Sequence, residues 1–464
     1  MEKRRAKAYN DMTVGPEWKC VLLFAFPLML GQLLQQLYST VDGIVVGNFV
    51  SSGALAAVGS CSAFTFVYVA FSFGMSNGSG ILIAQLFGAG RRDELRSAAA
   101  NIMLLLSGLA VVMMVIGVGF TGFITRTILG VKDPDICEQS IVYLRIYSVG
   151  MLFSFIYNGV SAILRGVGDS KALLYFLMVS TIMNTVLDVL FVGAMGMGVA
   201  GAAWATVISQ LACVVVSIWY MFRNYPDFRF RSLKELKYDR EKMGLCLKLG
   251  IPTTVQQFVV SCGNLALQRL VNSFGENTMA AVTVGSRFEH YTAIPSLALM
   301  QSISSFSGQN AGAGKFDRVK KGLGSTMIMD LISVSAICAA MYIFAPQLGR
   351  MFGLKDEALR QVVMFMHTLS LGYPIFALYF PMNGMFQGCG YPSAATVVAL
   401  TALVGRVGAA YLLVYAFDVG YTACWQTYII GWTLGLAVAA VYYFQGNWRK
   451  TAVVRRRQHA EENT

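Results

Sequence analysis

The sequence has little charge. Asp, Glu, Lys and Arg make up 13% of its 464 residues, about half of the roughly 25% usual in soluble domains. Histidine is scarcer still: His290, His367 and His459 are too scattered for a metal motif. The nine cysteines contain no CxxC pair, and most sit inside apolar runs (Cys61, Cys213, Cys262, Cys338), where a thiol reads as a small buried hydrophobe. No HExxH, no Ser/His/Asp set and no conventional catalytic pair is present. These absences exclude a soluble enzyme, a disulfide scaffold and a disordered chain. What is abundant is apolar: 56% of residues, with a mean hydropathy of +0.58. That composition predicts an all-α integral membrane protein.

A bilayer core of about 30 Å needs roughly 20 apolar residues per helix. Runs of that size lie near 20–47, 53–86, 97–121, 138–164, 171–193 and 198–222, then near 248–274, 278–309, 322–345, 360–386, 391–417 and 421–444. They predict twelve transmembrane helices in two lobes, 20–222 and 248–445. A polar linker (223–247) joins the lobes, and short segments flank them (1–19 and 446–464). The first run is too long for a signal-peptide core and is expected to stay as a span. A β-barrel is excluded, because ten-residue alternating segments are missing.

The net charge of +12 would raise the question of nucleic acid in a soluble protein. Here the basic residues sit in links between spans, and topology accounts for them. With the N-terminus, the even-to-odd links and the C-terminus placed inside, 27 of the 36 Lys and Arg fall inside and 6 outside. The remaining three, Arg269, Arg287 and Arg406, fall within spans. This asymmetry predicts cytoplasmic termini and no nucleic-acid partner.

The halves repeat. Gln85-Leu86-Phe87-Gly88-Ala89-Gly90 returns as Gln309-Asn310-Ala311-Gly312-Ala313-Gly314, and Ala56-Ala57-Val58 returns as Ala280-Ala281-Val282. Pro27 matches Pro252, and Arg165-Gly166-Val167-Gly168 matches Gln387-Gly388-Cys389-Gly390. Each copy has an even number of spans, so the repeat is parallel, an arrangement used for alternating access.

Ionisable residues within spans are costly and point to function. Asp42, Asp188, Glu289 and Asp330 are the acidic ones. Gln35, Ser39 and Asp42 share one face of the first span, and Ser180, Asn184 and Asp188 share one face of the fifth. Thr206 lies in a small-residue stretch of the sixth. Two carboxylates, an amide and a hydroxyl form an oxygen-rich set suited to H⁺ or Na⁺, so Na⁺ is the candidate metal at Asp42, Asn184, Asp188 and Thr206. Arg406 stands at the repeat position of Asn184, which assigns ion binding to the first half. In the second half, Gln256, Gln257, Ser261, Asn264 and Gln268 make a polar stripe on the seventh span. Gln35, Ser39, Gln257, Ser261, Asn264, Arg287 and Glu289 are the substrate-cavity candidates.

Several of these stretches carry a family resemblance. They are Pro27, Asp42 with Gly47, Ala56-Ala57-Val58-Gly59, the Gln85–Gly90 turn and its echo, Arg165-Gly166-Val167-Gly168-Asp169, Asn184-Thr185-Val186-Leu187-Asp188, and Gly198–Ala203 with Thr206. With them the chain resembles the MATE (multidrug and toxic compound extrusion) transporters over about 20–445, and within them the prokaryotic DinF-like branch. The resemblance implies two pseudo-symmetric six-helix lobes around a central cleft in a prokaryotic inner membrane. It implies a monomeric antiporter that exports organic cations and amphipathic drugs in exchange for H⁺ or Na⁺, with no cofactor. The branch's cation site maps onto Asp42, Asn184, Asp188 and Thr206. Its fourth-helix tyrosine maps onto Tyr143 by spacing, with Tyr147 nearby. The other bacterial branch has an acidic residue on the seventh helix, where this chain has glutamines. A lipid-linked precursor flippase of related architecture is the alternative, and it would want more cavity arginines than these three.

Overall fold

Glycine and proline punctuate the helices. The computed structural model describes residues 10–49, 52–230 and 237–452, with side chains except at 37–56 and 63. Among the described residues twelve long helices follow one another. They are α1 (Glu17–Phe49), α2 (Ser52–Gly88), α3 (Arg92–Gly119), α4 (Pro134–Gly166), α5 (Lys171–Asp188) and α6 (Gly198–Asn224), then α7 (Arg240–Asn272), α8 (Glu276–Gly312), α9 (Phe316–Met351), α10 (Asp356–Gly388), α11 (Pro392–Tyr415) and α12 (Ala423–Gln445). Asp133 starts α4: its Oδ1 accepts from the Asp135 and Ile136 N–H groups at 3.0 Å each, with Pro134 in the first helical position, a standard N-cap. Gly90, Gly168, Gly314 and Gly390 stop α2, α4, α8 and α10 at φ of +72°, +90°, +72° and +80°. The next N–H closes each turn: Arg91 to Leu86 O, Asp169 to Leu164 O, Lys315 to Asn310 O and Tyr391 to Phe386 O, all within 2.8–3.0 Å. A left-handed residue in this stop favours glycine. The repeated glycine motifs are these four stops.

The twelve helices correspond one to one with the twelve apolar runs. Several extend further, because a charged first turn still bonds as helix. Thus α3 begins at Arg92 and α7 at Arg240. Arg165, counted from the sequence with an inside link, lies within α4. It is buried there, with Nη2 donating to Asn77 Oδ1 at 2.8 Å. Ten of the helices are long and apolar enough to cross a membrane. The polar residues of α7 and α8 keep those two outside that set. Isoleucines and valines face outward along the shafts, among them Val111, Val112 and Val115 on α3 and Ile328 and Ile332 on α9, the last 66% exposed. Such faces suit lipid, where only closed backbone structures such as helices are stable.

The chain forms two compact units, each with the same internal crossing. Unit 1 holds Leu30–Thr254 with the segment up to Asp11, and unit 2 holds Met12–Met29 and Val255–Thr464. The chain passes from one unit to the other inside α1 and inside α7, three residues after Pro27 and three after Pro252. In unit 1, α2 crosses α4 so closely that a Cβ at Gly166 would run into Ile83 and one at Gly80 would crowd Ala162. In unit 2, α8 crosses α10 so closely that a Cβ at Gly388 would run into the Ser304 carbonyl and Ser307 Cβ. Ser307 and Gly388 are the repeat counterparts of Ile83 and Gly166, so both copies cross at the same point. Missing side chains there let the helix backbones approach closely.

Unit 2 also holds the segment 12–21 at the beginning of α1. Met12 N–H donates to Gln309 Oε1 at 2.9 Å, and Asn310 Nδ2 donates to Met12 O at 3.1 Å. Ser302 Oγ donates to Val21 O at 2.7 Å, and Arg318 reaches Gly15 O at 2.9 Å and Glu17 at 3.3 Å. In unit 1, Lys242 pairs with Glu94, and Asp239 N–H donates to Asn101 Oδ1 at 2.9 Å. These contacts hold the first turns of α7.

Candidate functional site

In unit 1 the site is built around α5. Its outward residues are apolar: Ile182 is 61% and Val186 59% exposed. Asn184 and Asp188, one turn apart on another face, are each 2% exposed. The amide and the carboxyl therefore point away from the surface that lipid would cover. Asp188 is also the last residue of α5 before a π-helical turn, Val189–Ala194. The Val189 N–H is shared between Thr185 O and Val186 O. A π-turn widens the helix by one residue per bond and is often found beside functional groups. The following α6 packs along α5 and supplies Thr206, half-buried, whose Oγ1 donates to Ala202 O at 3.1 Å. Asn184, Asp188 and Thr206 thus come from two neighbouring helices of one unit.

The other first-half candidates are more dispersed. Gln35 is exposed on α1. Ser39 and Asp42 belong to α1 as well, but their side chains lie outside the described residues. Tyr143 is half-buried on α4 and stacks on Tyr147, with centroids 5.6 Å apart and planes at 19°. It packs on the cluster of Cys61, Ile124 and Leu144.

In unit 2 the polar stripe of α7 divides. Gln256 is buried and accepts from Gln387 Nε2 at 3.4 Å. Gln257 is half-buried and its carbonyl accepts from Ser261 at 2.8 Å, whereas Asn264 is exposed. Arg287 and Glu289 part company. Arg287 is exposed, with its guanidinium 5.7 Å from the Phe352 ring centroid. Glu289 is half-buried, and its Oε2 accepts from Tyr428 Oη at 2.8 Å. Tyr373 Oη donates to the Glu289 carbonyl at 2.9 Å. Arg406 lies over the Tyr428 ring, 3.2 Å from its centroid. Asp330 is fully buried, and its Oδ1 accepts from Ser296 Oγ at 2.8 Å.

Tyr373, Tyr428 and Ser296 were not singled out from the sequence. One signal pointed to Tyr428. Gly201–Thr206 and Thr422–Thr427 both carry Ala, Trp and Thr at matching places. Thr427 bonds Ala423 O at 3.0 Å, as Thr206 bonds Ala202 O. Tyr428 is the next residue.

The chain is similar to known proteins along nearly its whole length. The MatE family profile matches residues 27–190 and again 252–412, the two blocks starting at the repeated prolines. The chain is 30% identical over 445 residues to the probable multidrug resistance protein YoeA of Bacillus subtilis, covering 94% of this chain and 96% of that one. It is 23% identical to the multidrug export protein MepA of Staphylococcus aureus over 83% of this chain and 85% of that one. In fold it superposes on a MOP superfamily transporter from Pyrococcus furiosus with a TM-score of 0.86 at 24% identity, covering 95% and 98% of the two chains. A profile that matches both halves, and a relative aligned almost end to end, place this twelve-helix chain in the MatE family, that of the MATE membrane transporters.

Proposed function

We propose that the protein is a secondary antiporter that exports organic cations and other amphipathic compounds in exchange for H⁺ or Na⁺. The observation that carries this reading is the burial of Asn184 and Asp188 on one face of α5, beside neighbours that face outward. A carboxyl kept inside a membrane helix is costly unless it binds a proton or a cation. Asp42 and Thr206, with Tyr143, complete the proposed cation site. Gln35, Ser39, Gln257, Ser261, Asn264, Arg287 and Glu289 are proposed to face cargo at some stage of the cycle. The names of YoeA and MepA support multidrug substrates. The proposed setting is the bacterial cytoplasmic membrane, with both termini cytoplasmic and the chain acting as a monomer of two lobes.

Inward cation flow supplies about 2.3 kcal/mol per charge per 100 mV, besides any concentration difference. A cation that neutralises Asp42 and Asp188 removes their electrostatic hold on positively charged cargo. By linkage, cation and cargo then weaken each other's binding. Pro27 lacks the N–H of an ordinary helix position, so α1 can bend there as the site fills. The test is efflux of a cationic dye from vesicles under an imposed pH gradient and, separately, an imposed sodium gradient. Efflux under either one establishes antiport and names the ion. Efflux under neither rejects the reading.

A further inference from the structure

The second half of the chain inverts the charge of the first at the matching place. Arg406 on α11 stands where Asn184 stands on α5, and Ala410 stands where Asp188 does. On the next helix, Thr427 repeats the Ala-directed hydrogen bond of Thr206. Unit 2 thus carries a guanidinium at the repeat position of the Asn184 amide.

Among the described residues, the surroundings hold Arg406 without a direct ion pair, and Glu289 shares its tyrosine neighbour. The guanidinium carbon lies over the Tyr428 ring, 3.2 Å from the centroid. A cation held against a ring face can still donate N–H groups to other partners. Tyr428 is itself fixed by its hydrogen bond to Glu289, and its ring packs on Trp432 and Phe365 with centroids at 5.4 Å and 6.2 Å. Glu289 is thus engaged through the tyrosine hydroxyl. The ion pairs among the described residues do not include Arg406. Its Nε is buried with no hydrogen-bond partner among the described residues, and a buried donor left unmet is costly. The residue as a whole is half-buried.

We propose that Arg406 is the centre of an oxyanion-accepting subsite in unit 2, which takes the carboxylate of an amphipathic aromatic compound. A guanidinium edge matches a carboxylate in both charge and shape. The subsite rests on the exporter reading in that its ligand is cargo. A phosphate on a lipid headgroup has the same chemistry, and the experiment separates the two sources.

The probe is a rhodamine dye as its free benzoic acid and as its methyl ester, two molecules that differ only in the carboxylate. Equilibrium binding is measured by fluorescence polarisation on the purified full-length protein, in detergent and in phosphatidylglycerol nanodiscs. Arg406→Gln is expected to weaken binding of the acid roughly tenfold, the scale of one charge-assisted hydrogen bond, and that of the ester less than about twofold. Arg406→Lys keeps the charge without the planar edge, and should fall between wild type and Arg406→Gln. If the lipid is the source, the acid competes poorly in nanodiscs, and phosphatidylglycerol retained on the purified protein falls in Arg406→Gln. That outcome keeps the subsite and changes its occupant. Equal losses for acid and ester in both variants, or no loss for either together with unchanged lipid retention, overturn the subsite. Vesicle efflux of the ester by wild type tests the exporter reading separately, so either idea can fail alone.

Discussion

Asp188 and Asp330 are both buried carboxyl groups, yet they call for different experiments. Asp188 lies beside an amide on α5 and ends at a π-turn, which fits a group that exchanges its counter-ion. Asp188→Asn keeps the shape and removes the titratable group. Ion-driven dye efflux is expected to drop at least about tenfold, while membrane insertion, read by immunoblot of washed membranes, stays at the wild-type level. Undiminished efflux would reject its role. Asp330 is tied to one partner, Ser296. Asp330→Ala leaves that hydroxyl unmet and should lower stability by about 1–3 kcal/mol, whereas Asp330→Asn keeps an acceptor and should cost less. Thermal melting in detergent checks the order of the two variants. The placement of Asn184 and Asp188 on a shared face was legible from their spacing of four residues, because helical period alone brings such residues together. The Asp330–Ser296 and Glu289–Tyr428 pairs were not. Their members lie 34 and 139 residues apart on different helices, and no local period connects them. The same holds for Arg287, a cavity candidate by sequence that rests exposed beside Phe352.

At the scale of elements, the crossings and the stops make different demands on glycine. Gly388 is crowded: a Cβ there would meet the Ser304 carbonyl and Ser307 Cβ of α8. Gly90 has open space around it but holds φ at +72°. Gly388→Ala must push two helix backbones apart, and the expected loss is about 1–3 kcal/mol. Gly90→Ala costs only the left-handed backbone, about 1 kcal/mol. Denaturation of the two variants side by side should show the larger loss for Gly388→Ala, and the reverse order would mean that the α8–α10 crossing is looser than described. The number and order of helices were legible because spans must be long and apolar. Their ends were less so, since α7 continues through charged residues back to Arg240. Hydropathy registers the lipid-facing middle of a helix, whereas the hydrogen-bonded backbone continues into water.

For the whole molecule, the excess of Lys and Arg in one set of links predicts that both ends of the chain lie in the cytoplasm. Green fluorescent protein fused after Thr464 should fluoresce, and alkaline phosphatase at the same place should be inactive. The opposite pair of results would invert the topology. Composition alone settled that the chain is a helical membrane protein, because 56% apolar residues in runs of membrane length have no stable place in water. The repeat was equally readable, since duplicated glycine stops and prolines recur at a near-constant offset. Only the tertiary structure decided that the chain changes units inside α1 and α7. It alone decided that Arg406 lies on a tyrosine engaged by Glu289. Local sequence specifies which face of a helix is polar. Which distant helix meets that face is settled by packing between segments far apart in the chain.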